Sequence, residues 1–382
     1  MCDGRGDILD TAMILWYNGY AIDCITERRC TGLMSDEVRT MADIARLAGV
    51  SISTVSRALN DSPLIPDQTK ERILHIARTH NYQLHVGARN LRLQRTQTAA
   101  AIIPFGETSD RQVSDPFYLE MIGAIANKLA EHDYDLLISR AHAADEGWYQ
   151  RYVLGNRVDG LIIIGRKLND QGIAKLVELE ANFVVWGPPL ADQRYVSVGS
   201  DGVSGAAQAV RHLVQLGRRR IGFIGGDEDE TETWLRRQGY EQGLREAGLP
   251  LDEDLITSTH FTSESGYLAM CRLLAQAPDL DGVFACSDLM AIAAMEALRQ
   301  EGRHVPAHVS VVGYDDIPLA AHCSPPLTTV RQQIHRGGML LARKLFELVE
   351  GHPTDSVILP VELILRQSCG ARSHFSSNGE GN

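Results

Sequence analysis

At 382 residues with 44% hydrophobic side chains, the chain is long enough for two or three domains with buried cores. No apolar run approaches the roughly eighteen residues of a membrane span, so no membrane role is expected. The net charge of −12 argues against a uniformly basic nucleic-acid coat, yet residues 40–97 carry eight cations and four anions and leave −16 to the rest. A basic module on an acidic body engages polyanions at one end only.

Residues 1–35 contain ILDTAMILWYNGYAIDCI, which has no basic segment before it and no small-residue cleavage site after it. This stretch is expected to be an extension, either disordered or upstream of a natural start at Met34, six residues before Thr40.

TMADIARLAGVSISTVSRALN, residues 40–60, reads as two short helices meeting at a tight turn. Thr40 and Asp43 have capping-box spacing. Ile44, Ala45, Leu47 and Ala48 supply an apolar face, and Gly49 permits a turn at positive φ. Ser51 caps the second helix, whose Val55 and Leu59 can pack back on the first. Ile52, Ser53, Thr54, Ser56 and Arg57 remain outward, which is the make-up of a recognition helix for the DNA major groove. A third helix follows Pro66, with Ile73, Leu74, Ile76 and Ala77 turned toward the first two.

From residue 98 the pattern alternates between apolar strand and amphipathic helix. AAAIIP (99–104), YDLLIS (134–139), GLIII (160–164) and NFVVW (182–186) read as buried parallel strands. The helices between them are expected near 118–132, 147–155 and 170–180. A second round follows in YVSVG (195–199), RIGFIG (220–225), LITSTH (255–260), GVFAC (282–286) and VSVVGYD (309–315). Its helices are expected near 202–216, 232–247, 264–276 and 288–301. Two rounds predict two similar α/β lobes of doubly wound parallel sheet, with ligand between them at the strand ends. Asp201 and Asp288 read as helix N-caps, Asp316 as turn chemistry and Arg237 as a solvated charge. GFIGGDE (222–228) lacks the GxGxxG spacing, and its acidic run would repel a phosphate.

No GxSxG elbow or HExxH is present, and the thirteen histidines show no pattern, so no enzyme activity is expected. The seven cysteines lack CxxC pairs and metal-ligand spacing, which fits buried thiols in a reducing cytoplasm; no metal or cofactor is expected.

The 40–60 run resembles, almost residue for residue, the N-terminus of the lactose-repressor family of bacterial transcription regulators. Ala88, Arg89 and Leu91 match that family's ARxL hinge motif, Arg236 its RxxGY motif, and Asp315 its strand-end aspartate. Leu84-His85 stands where the family usually has Pro-Asn, and Gly87 is a weak helix former. The resemblance implies a three-helix helix-turn-helix headpiece (36–84) and a hinge helix (85–97). It further implies a two-lobe core of periplasmic-binding-protein type I architecture (98–369), ahead of a disordered tail (370–382). Lobe 1 would hold about 98–198 and 334–360, and lobe 2 about 199–333 and 361–369.

On DNA, Ile52, Ser53 and Arg57 would face base edges, and Thr40, Ser51, Thr54 and Asn60 would hold phosphates. Ala88 and Leu91 would enter the minor groove. Phe117, Tyr118, Trp186, Arg236, Phe261, Asp315 and Gln332 would bind the effector. The implied protein is a cytoplasmic homodimeric repressor on a pseudo-palindromic double-stranded operator, released by a small sugar or glycoside. The alternatives are a periplasmic-type sugar-binding protein, or a regulator with a purine-like co-repressor.

Overall fold

The computed structural model describes residue 38 and residues 40–82, 95–105, 111–142 and 147–370. The 1–35 extension, Ala88, Arg89 and Leu91 of the hinge, and the tail beyond Gly370 lie outside them. Two units are distinguished, residues 1–85 and 86–382.

In the first unit, α1 (Met41–Ala48), α2 (Ile52–Leu59) and α3 (Asp67–Thr79) form the helical trio. Both arms of the α1 capping box are made: Asp43 N donates to Thr40 Oγ1 at 3.3 Å, and Thr40 N to Asp43 Oδ2 at 3.0 Å. Gly49 takes φ 63° and ends the helix, where a side chain would be strained. Ser51 then caps α2, its hydroxyl accepting from Thr54 N at 3.1 Å. Ile44, Ala45, Ala48, Val55, Ala58, Ile73 and Ala77 close a small core. Leu47 does not join it. One residue off the 44/45/48 stripe, it is 39% exposed, which corrects the face expected for α1.

The second unit holds two six-stranded sheets. The first contains β1 (Thr98–Phe105), β2 (Asp135–His142), β3 (Gly160–Ile164), β4 (Phe183–Trp186), β5 (Val196–Ser200) and β11 (Val357–Leu359), in the order β11-β5-β4-β3-β1-β2. The second contains β6 (Ile221–Ile224), β7 (Ile256–Thr257), β8 (Gly282–Ala285), β9 (Ser310–Asp315), β10 (Thr328–Arg331) and β12 (Glu362–Ile364), in the order β12-β10-β9-β8-β6-β7. All pairings are parallel except β10 with β12. The central strands are apolar on both faces because helices cover both sides.

The helices are α4 (Pro116–Ala130), α5 (Gln171–Glu178), α6 (Gly202–Gln215), α7 (Thr231–Glu246), α8 (Ser263–Gln276), α9 (Asp288–Gln300), α10 (Pro318–His322) and α11 (Ile334–Val349). The chain passes between sheets three times: after β5, between β10 and α11, and between β11 and β12.

Three elements differ from the sequence reading. YVSVG, expected to open the second round, is β5 of the first sheet, paired with β4. The expected helix at 147–155 contains a wide π-helical turn over Gln150–Leu154, with Gly155 N bonded to Gln150 O at 3.1 Å. LITSTH pairs over only Ile256–Thr257, since β6 ends at Ile224; past it Thr259 Oγ1 donates to Gly225 O at 2.7 Å.

Candidate DNA-reading helix and ligand cleft

On α2, Ile52 is 52% exposed, and Ser53 and Arg57 are exposed as well. Ser51 and Thr54 share a hydrogen bond at 2.8 Å. Asn60 closes the helix by donating to Ser56 O at 2.5 Å, and Thr40 stands exposed at the start of α1. The first unit therefore presents one short helix whose polar, cationic side is turned out while Val55 and Ala58 hold the other side in the core.

In the second unit, one cavity of about 660 Å³, partly open to solvent, lies between the sheets at the carboxyl ends of the strands. Phe117, Tyr118, Trp186, Arg236, Phe261, Asp315 and Gln332 all line it. They come from the start of α4, the end of β4, the first turns of α7, the loop before α8, the end of β9 and the passage after β10.

Asp315 and Arg236 form the floor. Both are buried, with Arg236 Nη2 3.8 Å from Asp315 Oδ1. The Arg236 guanidinium also donates to the Cys286 carbonyl and lies 3.9 Å from the centre of the Tyr314 ring. Gln332 donates to Asp315 Oδ1 at 2.5 Å and accepts from Ser200 at 2.8 Å. Asp315 holds this position at φ 118°, a backbone region costly for any side chain and often retained at functional sites. Burial pushes its carboxyl up to about 7, against the pull of Arg236.

Phe261 likewise reaches the cleft at a positive φ, 55°, and lies against the bare face of Gly226, where a Cβ would overlap the ring. That close approach explains the third glycine of GFIGGDE without a nucleotide. Phe117 packs edge-on against Tyr118 at 5.2 Å and tilts toward Trp186 at 6.3 Å.

Several polar wall residues were missed by the sequence reading. Arg111 pairs with Glu230 across the lobes at 2.7 Å and covers the Phe261 ring at 4.4 Å. Burial opposes the Arg111 charge, but Glu230, Tyr118 and Asp115 outweigh it and hold the guanidinium protonated. Burial raises Glu230 and Glu232 above the ordinary carboxylate range. The DEDE run read only as phosphate-repelling is the lobe-2 half of a latch. Lys167 meets Asp229 at 2.5 Å, Leu168 N donates to Asp229 O at 2.8 Å, and Thr231 N donates to Arg166 O at 3.2 Å. No local pattern marks these residues, because each depends on a partner more than sixty positions away or nearly so.

Two minor readings are corrected. Asp288 is not a cap: Ser287 caps α9, and Asp288 is buried, accepting from Thr329 Oγ1 and from Ile317 N at 2.9 Å. Asp316 is more than a turn residue, since it pairs with Arg366 at 2.6 Å and Arg331 at 2.7 Å. Asp201 does cap α6, through Ser204 N. Arg237, half-buried, pairs with Glu241 and Glu253. Among the described residues no cluster of His, Cys, Asp or Glu could hold a metal ion, and no helix is long and apolar enough to cross a membrane.

A helix-turn-helix in the same chain as a two-lobed cleft defines a DNA-binding transcription regulator with a small-molecule site. Residues 40–84 match the bacterial regulatory proteins of the lacI family, and residues 210–369 match the periplasmic binding protein-like domain. The chain is 35% identical over 336 residues to the HTH-type transcriptional regulator CelR of Thermobifida fusca, covering 86% of this chain and 98% of that one. It is 30% identical over 335 residues to the ribose operon repressor of Haemophilus influenzae, again 86% and 98%. A solved CelR-cellobiose complex superposes with TM-score 0.67 at 33% identity, over 86% of this chain and 99% of that one. The operator-bound lac repressor dimer shares the fold at TM-score 0.75 and 24% identity, over 86% and 98%. The chain belongs to the lacI family of bacterial regulatory proteins.

Proposed function

We propose that the protein is a cytoplasmic homodimeric repressor that leaves a pseudo-palindromic operator when a neutral saccharide occupies the cleft. The observation that carries the effector reading is the charge balance of the wall. Arg111, Arg166, Lys167 and Arg236 stand against Asp115, Glu230, Glu232 and Asp315, with four aromatic side chains between them. With the four carboxylates ionised no net charge is left over for an ionic ligand, whereas paired donors and acceptors suit hydroxyls and aromatic faces suit the CH patches of a sugar ring. CelR, a relative over most of the chain, has been solved with cellobiose, which supports the same class.

In this reading Asp315 accepts from ligand hydroxyls while Arg236 and Gln332 hold it in place. Phe117, Tyr118, Trp186 and Phe261 pack on the ring. Closure of the lobes is completed by the Arg111–Glu230 and Lys167–Asp229 pairs. On DNA, Ile52, Ser53 and Arg57 read base edges, and Thr40, Ser51, Thr54 and Asn60 hold phosphates. Ala88 and Leu91 enter the minor groove, and the joint 85–97 carries the signal from the lobes.

A thermal-shift screen of mono- and disaccharides tests the effector class, because a ligand of the native state alone stabilises by about 2.7 kcal/mol at a hundred times its Kd. A neutral sugar is expected to raise the melting point and then to release DNA obtained by in vitro selection. Stabilisation by purines or sugar acids alone would overturn the reading.

A further inference from the structure

One carboxylate holds the segment that leads into β1. Asp159 stands just ahead of β3, and its side chain reaches across to the residues before Thr98. Its Oδ1 accepts from Thr96 N at 2.6 Å and from Thr96 Oγ1 at 3.0 Å. Its Oδ2 accepts from Gln97 N at 2.9 Å and from the Tyr134 hydroxyl at 2.8 Å. A carboxylate has about four acceptor sites, so this one is fully used. Gln97 is kept at φ 51°, a left-handed backbone uncommon for glutamine, and its carbonyl accepts from Asp135 N at 2.9 Å.

Two rods run from the cleft to this point. β3, buried along its length between β1 and β4, starts beside Asp159 and ends just ahead of Gly165, Arg166 and Lys167 of the cleft wall. There the Arg166 carbonyl accepts from Thr231 N, and Lys167 pairs with Asp229, both on lobe 2. α11 starts just after Gln332 of the cleft floor and closes at Val349, whose carbonyl accepts from Arg95 Nη2 at 3.2 Å. Tyr134 joins the rods at their feet. Its hydroxyl is on Asp159, and its ring packs edge-on against Phe346 of α11 at 5.0 Å.

Close-packed strands and helices transmit a displacement rather than absorb it. Movement of lobe 1 against lobe 2 therefore carries the feet of β3 and α11 with it. Residues 95–97, which end the joint between the two units, are fastened to both. Neither Asp159 nor Tyr134 lines the cleft, so neither serves by holding ligand.

We propose that Asp159 and Tyr134 are positioning residues that fasten the joint to lobe 1, so that ligand occupancy reaches the DNA-binding unit through them. This rests on the sugar-release reading above.

The test is fluorescence anisotropy of the full-length protein on DNA obtained by in vitro selection. It is run with and without saturating cellobiose, maltose, glucose or galactose, whichever raises the melting point most. The readout is the factor by which sugar weakens operator binding, roughly 5- to 150-fold in the wild type. Tyr134→Phe removes one hydrogen bond and keeps the ring on Phe346. It should lower the factor by about two- to five-fold, and Asp159→Ala by up to about thirty-fold. Asp159→Asn keeps one acceptor oxygen and should fall between them. Sugar affinity without DNA, measured by calorimetry, should stay at the wild-type value in all three variants. By linkage, bound operator should weaken sugar binding by the same reduced factor.

An unchanged factor in Asp159→Ala would overturn the proposal, even with a lowered melting point, since a merely structural bond changes stability and leaves the factor alone. Where the alanine variant does not fold, an unchanged factor in both Asp159→Asn and Tyr134→Phe decides in the same way. Weakened sugar binding without DNA would also overturn it, by placing the effect in the cleft. A wild type whose operator binding none of these sugars alters would overturn the release reading and the proposal with it.

Discussion

On α2, Ile52, Ser53 and Arg57 stand in solvent, whereas in the cleft Arg236, Asp315 and Gln332 are buried and bonded to one another. DNA supplies its own dense charge, so a reader needs only exposed groups held at the right spacing on a rigid helix. A small neutral ligand supplies little, so its site must carry both halves of every polar interaction and exchange them on binding. The first surface is built by twenty-one consecutive residues. The second is assembled from side chains between Arg111 and Gln332 on two sheets.

The two regions should therefore fail separately, and the largest effect tests that. Ile73→Ala opens a cavity in the small helical core, where such truncations cost about 2–5 kcal/mol. DNA binding should be lost while sugar affinity, measured by calorimetry, stays at the wild-type value. A parallel loss of sugar binding would show that the cleft depends on the headpiece.

Within the reader, Arg57→Ala should cost about 1–3 kcal/mol of discrimination at one base position per half-site. Competition binding against single-base operator variants measures this, and a loss equal on all sequences would reassign Arg57 to a phosphate. Ser51→Ala should lower headpiece stability by about 1 kcal/mol through its lost cap, and Ser51→Gly by only a few tenths. If Ser51 also holds a phosphate, both variants should weaken DNA binding by a similar factor on every sequence, with the salt slope kept because a neutral hydroxyl releases no counterion. A DNA affinity unchanged in Ser51→Gly would leave the cap as its only role.

An effect of about the same size belongs to the cleft and concerns pH. With the Asp315 carboxyl at about 7, the charged acceptor grows from a minor to the major form between pH 6 and 8. Sugar affinity should rise about ten-fold over that range and become flat in Asp315→Asn. The effect on stability has the opposite sign. Between the ordinary carboxylate range and about 7 the folded chain keeps a proton that the unfolded chain has lost, so this group's contribution falls as pH rises. A sugar affinity independent of pH in the wild type would mean that the charged form is not the one that binds.

The same contrast explains what was legible in the sequence. Capping box, Gly49 turn and Ser51 cap are contacts within three or four residues, and residue types alone imply them. The alternation of strands and helices was equally local, and it led to the two sheets. It failed where geometry beyond the pattern took over: at Leu47, at the π-helical turn, at β5, which joins the first sheet, and past Thr257, where β6 beside it has ended. The antiparallel β12 closing the second sheet carried no local signal either.

The seven cleft residues became visible only through motif resemblance, since RRQGYEQGL and VGYDD mean little as isolated strings. Arg111, Arg166, Lys167, Glu230 and Glu232 lay outside those motifs. Arg111, Glu230 and Lys167 matter through pairings between lobes that no local periodicity encodes.

In the proposed switch, ligand held at Asp315 releases DNA through residues 85–97. Fluorescence anisotropy of labelled operator, titrated with the best-binding sugar, tests it in wild type and Asp315→Ala. A coupling of about 1–3 kcal/mol predicts that saturating sugar weakens wild-type operator binding roughly 5- to 150-fold. Asp315→Ala leaves ligand hydroxyls without their buried acceptor, so it should bind operator normally and stay bound at sugar concentrations that release the wild type. Release of the mutant at the same concentration as wild type would contradict the account.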